Sequence, residues 1–208
     1  MNVPKGLLVV ISGPSGGGKT TLWRLMVERY PDVVFSVSAT TRPPRAGEVD
    51  GRDYFFYTKS RFQEEVANNT FLEWACVYGN YYGTIASYVD NLLAAGKNVL
   101  LDIDTQGARQ IKTKRPEGIF VYVVPPSYEE LVTRITKRGS EDPEAVARRL
   151  QAVPDELKEL GNYDYLIIND DPEKAQQQLR CIMLAEALRV KRQDTSWLEN
   201  FAREAKKA

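Results

Sequence analysis

Histidine is absent from all 208 residues, which removes histidine general bases and histidine-ligated metals from the chemistry open to this chain. Cysteine occurs twice, at Cys76 and Cys181. The two are far apart and follow no metal-ligand spacing, so free thiols in a reducing compartment are expected, hence a cytoplasmic location. Neither sign of charge is in excess, with 28 Lys and Arg against 28 Asp and Glu. Bulk electrostatics therefore give no attraction to nucleic acid. No apolar run approaches membrane-spanning length, and Met1-Asn-Val-Pro-Lys-Gly6 leads into an apolar run without a secretion signal. Internal repeats and low-complexity tracts are missing too, and the length suits one domain with a substantial core.

The strongest positive feature is Gly13-Pro14-Ser15-Gly16-Gly17-Gly18-Lys19-Thr20, which fits G-x-x-x-x-G-K-[ST]. Leu7-Leu-Val-Val-Ile11 before it reads as a buried strand, and the segment from Thr21 carries apolar residues at helical spacing. A strand, a glycine loop and a helix in that order make a phosphate cradle. The glycines let the backbone curl so that N–H groups point at a polyphosphate, and the helix N-terminus adds partial positive charge. Residues 13–21 are thus expected around a nucleoside triphosphate, with Lys19 reaching the β- and γ-phosphates and the Thr20 hydroxyl on Mg²⁺.

Four further apolar runs, Val33–Val37, Asn98–Ile103, Gly118–Val124 and Tyr165–Ile168, read mostly as parallel strands buried on both faces. Gly96 stops a helix through Leu92 and Leu93. Ser60-x-x-Gln63 and Ser127-x-x-Glu130 fit the capping box, and Asp142-Pro143 and Asp171-Pro172 place proline at a first helical position. The alternation predicts an α/β fold with a doubly wound parallel sheet flanked by helices and ligands at the carboxyl ends of the strands. Two segments interrupt it. Ser38–Tyr82, rich in Tyr, Arg and Gly, reads as an inserted subdomain, and Arg134–Pro154, charged and helical, reads as a mobile cover.

With these residues in view, the chain resembles the guanylate kinase family, the P-loop enzymes that phosphorylate GMP from ATP. The resemblance rests on the glycine loop, on Ser38-x-Thr-Thr-Arg-x-Pro-Arg-x-Gly-Glu48, on Gly51-x-Asp-Tyr54-x-Phe56 and on Phe71-Leu-Glu-Trp-Ala75. It continues through Gly79-Asn-Tyr-Tyr-Gly-Thr84, Leu101-Asp-Ile-Asp-x-Gln-Gly107, Pro125-Pro-Ser127, Arg138-Gly139 and Asn169-Asp170. It implies a P-loop nucleoside monophosphate kinase fold over residues 4–186. The core would comprise 4–37, 88–127 and 155–186, with a GMP-binding subdomain at 38–87, a helical lid at 128–154 and a C-terminal helical tail at 187–208.

The implied substrates are GMP (and dGMP) and ATP with Mg²⁺, with neither nucleic acid nor membrane as partner and a homo-oligomer left open. Arg42 and Arg45 flank Pro43-Pro44, and paired guanidinium forks suit a phosphate. The resemblance assigns them, with Tyr54 and Tyr82, to the GMP phosphate. By themselves the arginines read equally as a solvated loop, and the tyrosines as core packing. Guanine presents N1–H beside an amino group and calls for an acceptor-only carboxylate. The resemblance supplies Glu73, with Ser38, Thr84 and Asp104 completing the base site; taken alone, Glu73 reads as an exposed strand carboxylate.

Asp102 ends an apolar strand, a common position for a carboxylate holding Mg²⁺ or its waters. Asp104 would share its face if the strand ran through both. Arg134, Arg138 and Arg149 correspond to the family's lid arginines and would stabilise charge on the phosphoryl in flight; the plainer reading is a helix face paired with Glu141, Asp142 and Glu144. Asn169 resembles part of the family's adenine-side loop. A GMP phosphate oxygen is already ionised at neutral pH, so the lack of histidine suits this chemistry.

Two other readings remain. A guanylate-kinase-like protein-binding module would have a degraded phosphate loop, and a kinase of sugar bisphosphates would lack Ser38, Glu73 and Thr84. In the tail, Ser196-Trp-Leu-Glu199 fits a capping box. Its face of Trp197, Leu198 and Phe201 is expected to pack back onto the core, with a subunit contact as the alternative.

Overall fold

The computed structural model describes residues 5–77, 79–137 and 143–205. Nine strands and eight α-helices are found among them. The central sheet is wholly parallel. It is made of β1 (Leu8–Ser12), β2 (Val33–Phe35), β7 (Asn98–Asp102), β8 (Ile119–Val124) and β9 (Tyr165–Ile168) in the order β2-β7-β1-β8-β9. The four later apolar runs form strands much as expected, although the first stops at Phe35.

Alternating side chains of β1 explain why its sequence is continuously apolar. Val9 and Ile11 pack against Leu22 and Met26 of α1 (Lys19–Arg29) and Leu179 and Met183 of α7 (Pro172–Ala187). Leu8 and Val10 pack on the other face against Val89 and Leu93 of α3 (Ala86–Ala94) and Ile111 of α4 (Thr105–Lys114). All of these are buried. A strand covered on both faces has no solvent side to mark with polar residues.

A second sheet carries the interrupting segment. It contains β3 (Ala39–Thr40), β4 (Phe55–Phe56), β5 (Phe71–Val77) and β6 (Asn80–Ile85) in the order β4-β3-β6-β5, with β3-β4 parallel and the other pairs antiparallel. It has a small core of its own, in which Phe62 of α2 (Lys59–Ala67) stacks on Phe71 at 4.4 Å and on Tyr81 at 5.4 Å.

Helix starts are mostly as read. The Asp171 side chain accepts from the N–H groups of Glu173 and Lys174, with Pro172 opening α7. Ser127 Oγ accepts from Glu130 N ahead of α5 (Tyr128–Lys137). Gly96 takes φ +77°, as a left-handed stop beyond α3 requires. One start is corrected: α2 is capped by Thr58, whose Oγ1 accepts from Arg61 N at 3.2 Å, and Ser60 lies inside the helix. The hydroxyl that precedes the first turn, where free N–H groups point outward, wins over the one within it. Helix α6 (Pro143–Lys158) follows α5, and Asp142 lies outside the described residues.

The tail is the second correction. Helix α8 (Trp197–Ala205) forms, but Trp197, Leu198 and Phe201 are 59%, 42% and 62% exposed. Trp197 and Phe201 meet each other edge to face at 6.1 Å and do not pack onto the core. Among the described residues no helix is long and apolar enough to cross a membrane.

Candidate active site

The phosphate loop occupies the carboxyl end of β1, between β7 and β8. Two of its glycines are required by geometry. Gly13 has φ +136°, and a Cβ there would stand 2.1 Å from the Val123 carbonyl oxygen. Gly18 has φ +87°, and a Cβ would stand 2.2 Å from Asn169 Nδ2. Both combine a backbone conformation that L side chains rarely adopt with a neighbour that leaves no room. Gly18 also stands at the start of α1, with no side chain capping the first turn, so the N–H groups there remain available to an anion. Lys19 Nζ folds over the loop, donating to the Gly13 carbonyl at 2.6 Å and the Pro14 carbonyl at 3.1 Å.

A cleft of about 380 Å³ opens beside the loop, lined by Gly16, Gly18, Thr21, Arg134, Lys137, Asn169 and Pro172. It brings Arg134 from α5 to the phosphate loop. The Arg134 guanidinium donates to Glu130 at 2.7 Å and to the Asn169 carbonyl at 3.0 Å. Asn169 is buried, and its amide donates to the Gly17 carbonyl at 3.0 Å, so this side chain braces the loop from behind. Arg149 is half-buried on α6 and lines neither this cleft nor the next. Arg138 lies outside the described residues.

A second cleft, of about 210 Å³, runs between the carboxyl end of β7 and the inserted sheet. Its walls include Ser38, Tyr54, Glu73, Tyr82, Asp102 and Asp104, six residues drawn from five separate stretches of the sequence. Asp102 is the last residue of β7, level with Ile11 of β1. The strand ends there. Asp104 caps α4 instead, its Oδ1 accepting from Gly107 N at 2.8 Å, so the two acids line one cleft without sharing a strand face.

Glu73 is 7% exposed, not the exposed strand carboxylate that its neighbours Leu72 and Trp74 suggested. Thr84, wholly buried across the β5-β6 ladder, donates its hydroxyl to Glu73 Oε1 at 2.6 Å. Gly107 permits this approach, since a Cβ there would lie 3.0 Å from Glu73 Oε2. Burial pushes the Glu73 carboxyl up to about 7, against the Thr84 hydrogen bond and with some help from Asp104.

Arg42 is gripped by Glu48, whose two carboxylate oxygens take its two terminal nitrogens at 3.0 and 2.8 Å. The guanidinium lies 5.4 Å from the centre of the Tyr54 ring, which borders the cleft. Glu48 also accepts from the Arg45 backbone N–H at 2.7 Å, while the Arg45 side chain is exposed. Glu48 holds the arginine loop together, and its carboxyl is depressed, first by the Arg42 hydrogen bond. Sequence reasoning quoted Glu48 without giving it a task; its spacing six residues after Arg42 was the available signal. No local sequence pattern marks Glu156 of α6. It is half-buried, with its carboxyl pushed up chiefly by burial while Lys19 opposes and Asp104 adds.

A parallel sheet with a glycine phosphate loop at its switch point, and a second polar cleft under an inserted sheet, form the architecture of a P-loop phosphotransferase. The guanylate kinase family model matches residues 5–186. A guanylate kinase from Symbiobacterium thermophilum is 50% identical over 200 residues, covering 96% of this chain and 95% of that protein. One from Clostridium perfringens is 48% identical over 196 residues, covering 94% and 91%. The crystal structure of guanylate kinase from Anaplasma phagocytophilum superposes with a TM-score of 0.72 at 31% identity, covering 92% of each chain. This chain belongs to the guanylate kinase family.

Proposed function

We propose that this protein transfers the γ-phosphoryl group of ATP to GMP, and to dGMP, with the two clefts as donor and acceptor sites. The observation that carries the residue assignment is the second cleft: the buried Glu73 carboxylate, Tyr54, Tyr82, Asp102 and Asp104 line one space where the inserted sheet meets the carboxyl end of β7. Glu73 and Thr84, with Ser38 and Asp104, read the guanine edge. Adenine presents an acceptor at N1 and would leave the Glu73 carboxylate unpaired in a buried site, which rejects it. Arg42, Arg45, Tyr54 and Tyr82 hold the GMP phosphate.

ATP lies along residues 13–21, with Lys19 exchanging the Gly13 and Pro14 carbonyls for the β- and γ-phosphates. Asn169 fixes the loop behind the nucleotide. Thr20 and Asp102 are oxygen donors of the kind Mg²⁺ prefers, and two protein ligands plus phosphates suit its octahedral demand. When bound, the ion neutralises charge on the β- and γ-phosphates. Arg134, Arg138 and Arg149 carry positive charge to the phosphoryl in flight as the lid closes and excludes water. The attacking oxygen belongs to an ionised phosphate, so the protein contributes positioning and charge and needs no general base. Two exposed free thiols, Cys76 and Cys181, favour a reducing cytoplasm.

Coupled ADP release with ATP and Mg²⁺ against GMP, dGMP, AMP, CMP and UMP tests this directly. Turnover is expected with GMP and dGMP alone. A folded protein that binds GMP and turns over none of the five overturns the reading in favour of a binding module.

A further inference from the structure

A third cavity lies at the opposite end of the central sheet. It measures about 310 Å³, between the two substrate clefts in size. Its apolar floor is formed by Leu8, at the amino end of β1, and Leu93, near the end of α3. Four cations border it: Lys5, Arg115, Lys191 and Arg192. Two acids, Asp90 and Glu117, stand among them. In a doubly wound sheet, substrates gather at the carboxyl ends of the strands, so phosphoryl transfer has no use for this place.

The C-terminal ends of α3, α4 and α7 attract cations in their own right. Arg115, the first residue beyond α4, is explained that way and pairs with Asp90 at 2.9 Å. Lys5, before β1, and Lys191, four residues beyond the end of α7, are not. Among the described residues neither lysine has a carboxylate within ion-pair distance. Arg192 is anchored on both sides of the wall, donating to the Glu117 carbonyl at 2.7 Å and to Glu186 at 3.3 Å, yet its Nε is buried with no hydrogen-bond partner.

Glu186, 4% exposed, holds the whole segment in place, accepting also from Tyr165 at 2.6 Å and Arg189 at 3.0 Å. Lys191 and Arg192 lie past the residues matched by the family model. The segment that follows the residues matched by the family model therefore builds one wall of a cationic, partly apolar cavity.

We propose that this cavity binds a small phosphorylated metabolite, no larger than a nucleoside monophosphate. The phosphate would sit among Lys5, Lys191 and Arg192, and the organic part over Leu8 and Leu93. Guanidinium and ammonium groups around an apolar floor match that chemistry. The occupant binds apart from the catalytic clefts and needs neither ATP nor GMP.

The test uses the full chain with ribose 5-phosphate and, separately, inorganic phosphate as probes, followed by backbone amide shifts in NMR. Expected are saturable shifts at Gly6, Leu8, Leu93 and Arg192, with ribose 5-phosphate binding more tightly than phosphate. The variant Lys5→Glu with Lys191→Glu alters exposed side chains only; it should weaken this binding at least tenfold with GMP turnover and melting temperature unchanged. Shifts confined to residues 13–21 with either probe would mean that phosphate binds the catalytic loop alone, and would overturn the proposal. So would equal affinity in the double variant. If the double variant unfolds, Lys191→Gln alone decides by the same comparison.

Discussion

At the scale of the residue, the proposed role of Glu73 makes a prediction about pH. Burial pushes its carboxyl up to about 7, and in the proposed guanine site only the ionised form would accept both N–H groups of the base. The value of kcat/KM for GMP should therefore fall about tenfold per pH unit as pH drops below about 7. Glu73→Gln should remove that slope and lower kcat/KM for GMP by about 100-fold, through loss of one acceptor and gain of a mismatched donor. A pH profile of the variant that still bends there would show that another group is responsible.

The same shift has a consequence for stability. A carboxyl raised above its ordinary 4.5 binds protons more tightly when folded. Its stabilising contribution is complete below pH 4.5 and is lost as pH rises through about 7. Chemical denaturation of wild type and Glu73→Gln should show the stability of wild type relative to the variant fall between pH 5 and pH 8.

If Arg42 holds the acceptor phosphate as proposed, Arg42→Ala should cost about 10²- to 10³-fold in kcat/KM for GMP while ATP binding persists. Glu48→Ala keeps the arginine but frees it to wander. A rise of about 3- to 10-fold in KM for GMP with little change in kcat is expected, and a fall in KM would instead make Glu48 a competitor of the phosphate.

Among the elements, α2 and the phosphate loop give contrasting predictions. Thr58→Ala removes the cap of α2 and should cost about 1 kcal/mol, whereas Ser60→Ala should stay within about 0.5 kcal/mol. Paired denaturant titrations distinguish them. Gly18→Ala has no such tolerance. Its φ of +87° and the Asn169 amide 2.2 Å away from an added Cβ mean that the loop must move or the asparagine must let go of Gly17. ATP affinity should drop sharply.

The inserted sheet is tied to the core through α4. Gln110 pairs its amide with both backbone groups of Trp74 on edge strand β5, accepting at 3.2 Å and donating at 3.1 Å, as a neighbouring strand would. The strand runs and the caps at Ser127 and Asp171 were legible because propensity and spacing act over a few residues. The cap at Thr58 was missed because two hydroxyls two positions apart satisfy the same local pattern.

For the whole molecule, the tail behaves as an appendage up to a point. Truncation after Gln193 removes α8, whose apolar face covers nothing in the core, and should leave the melting temperature and GMP turnover unchanged. Truncation after Arg189 also removes Arg192, leaving Glu186 and the Glu117 carbonyl without its hydrogen bonds, and should lower the melting temperature by several degrees. Light scattering on the shorter chains reports whether the exposed face of Trp197 and Phe201 sets the oligomeric state.

The phosphate loop, the parallel sheet and the family were all readable from the sequence alone, because strand, glycine loop and helix are contiguous and their constraints are local. Only the tertiary structure decided that Glu73 is buried beside Thr84, that Glu48 clamps Arg42 and that Asn169 braces the loop. It alone decided, too, that the tail helix leaves its apolar side uncovered. Each of these depends on what a side chain meets across the fold, and desolvation and pairing are properties of that meeting, not of sequence neighbours.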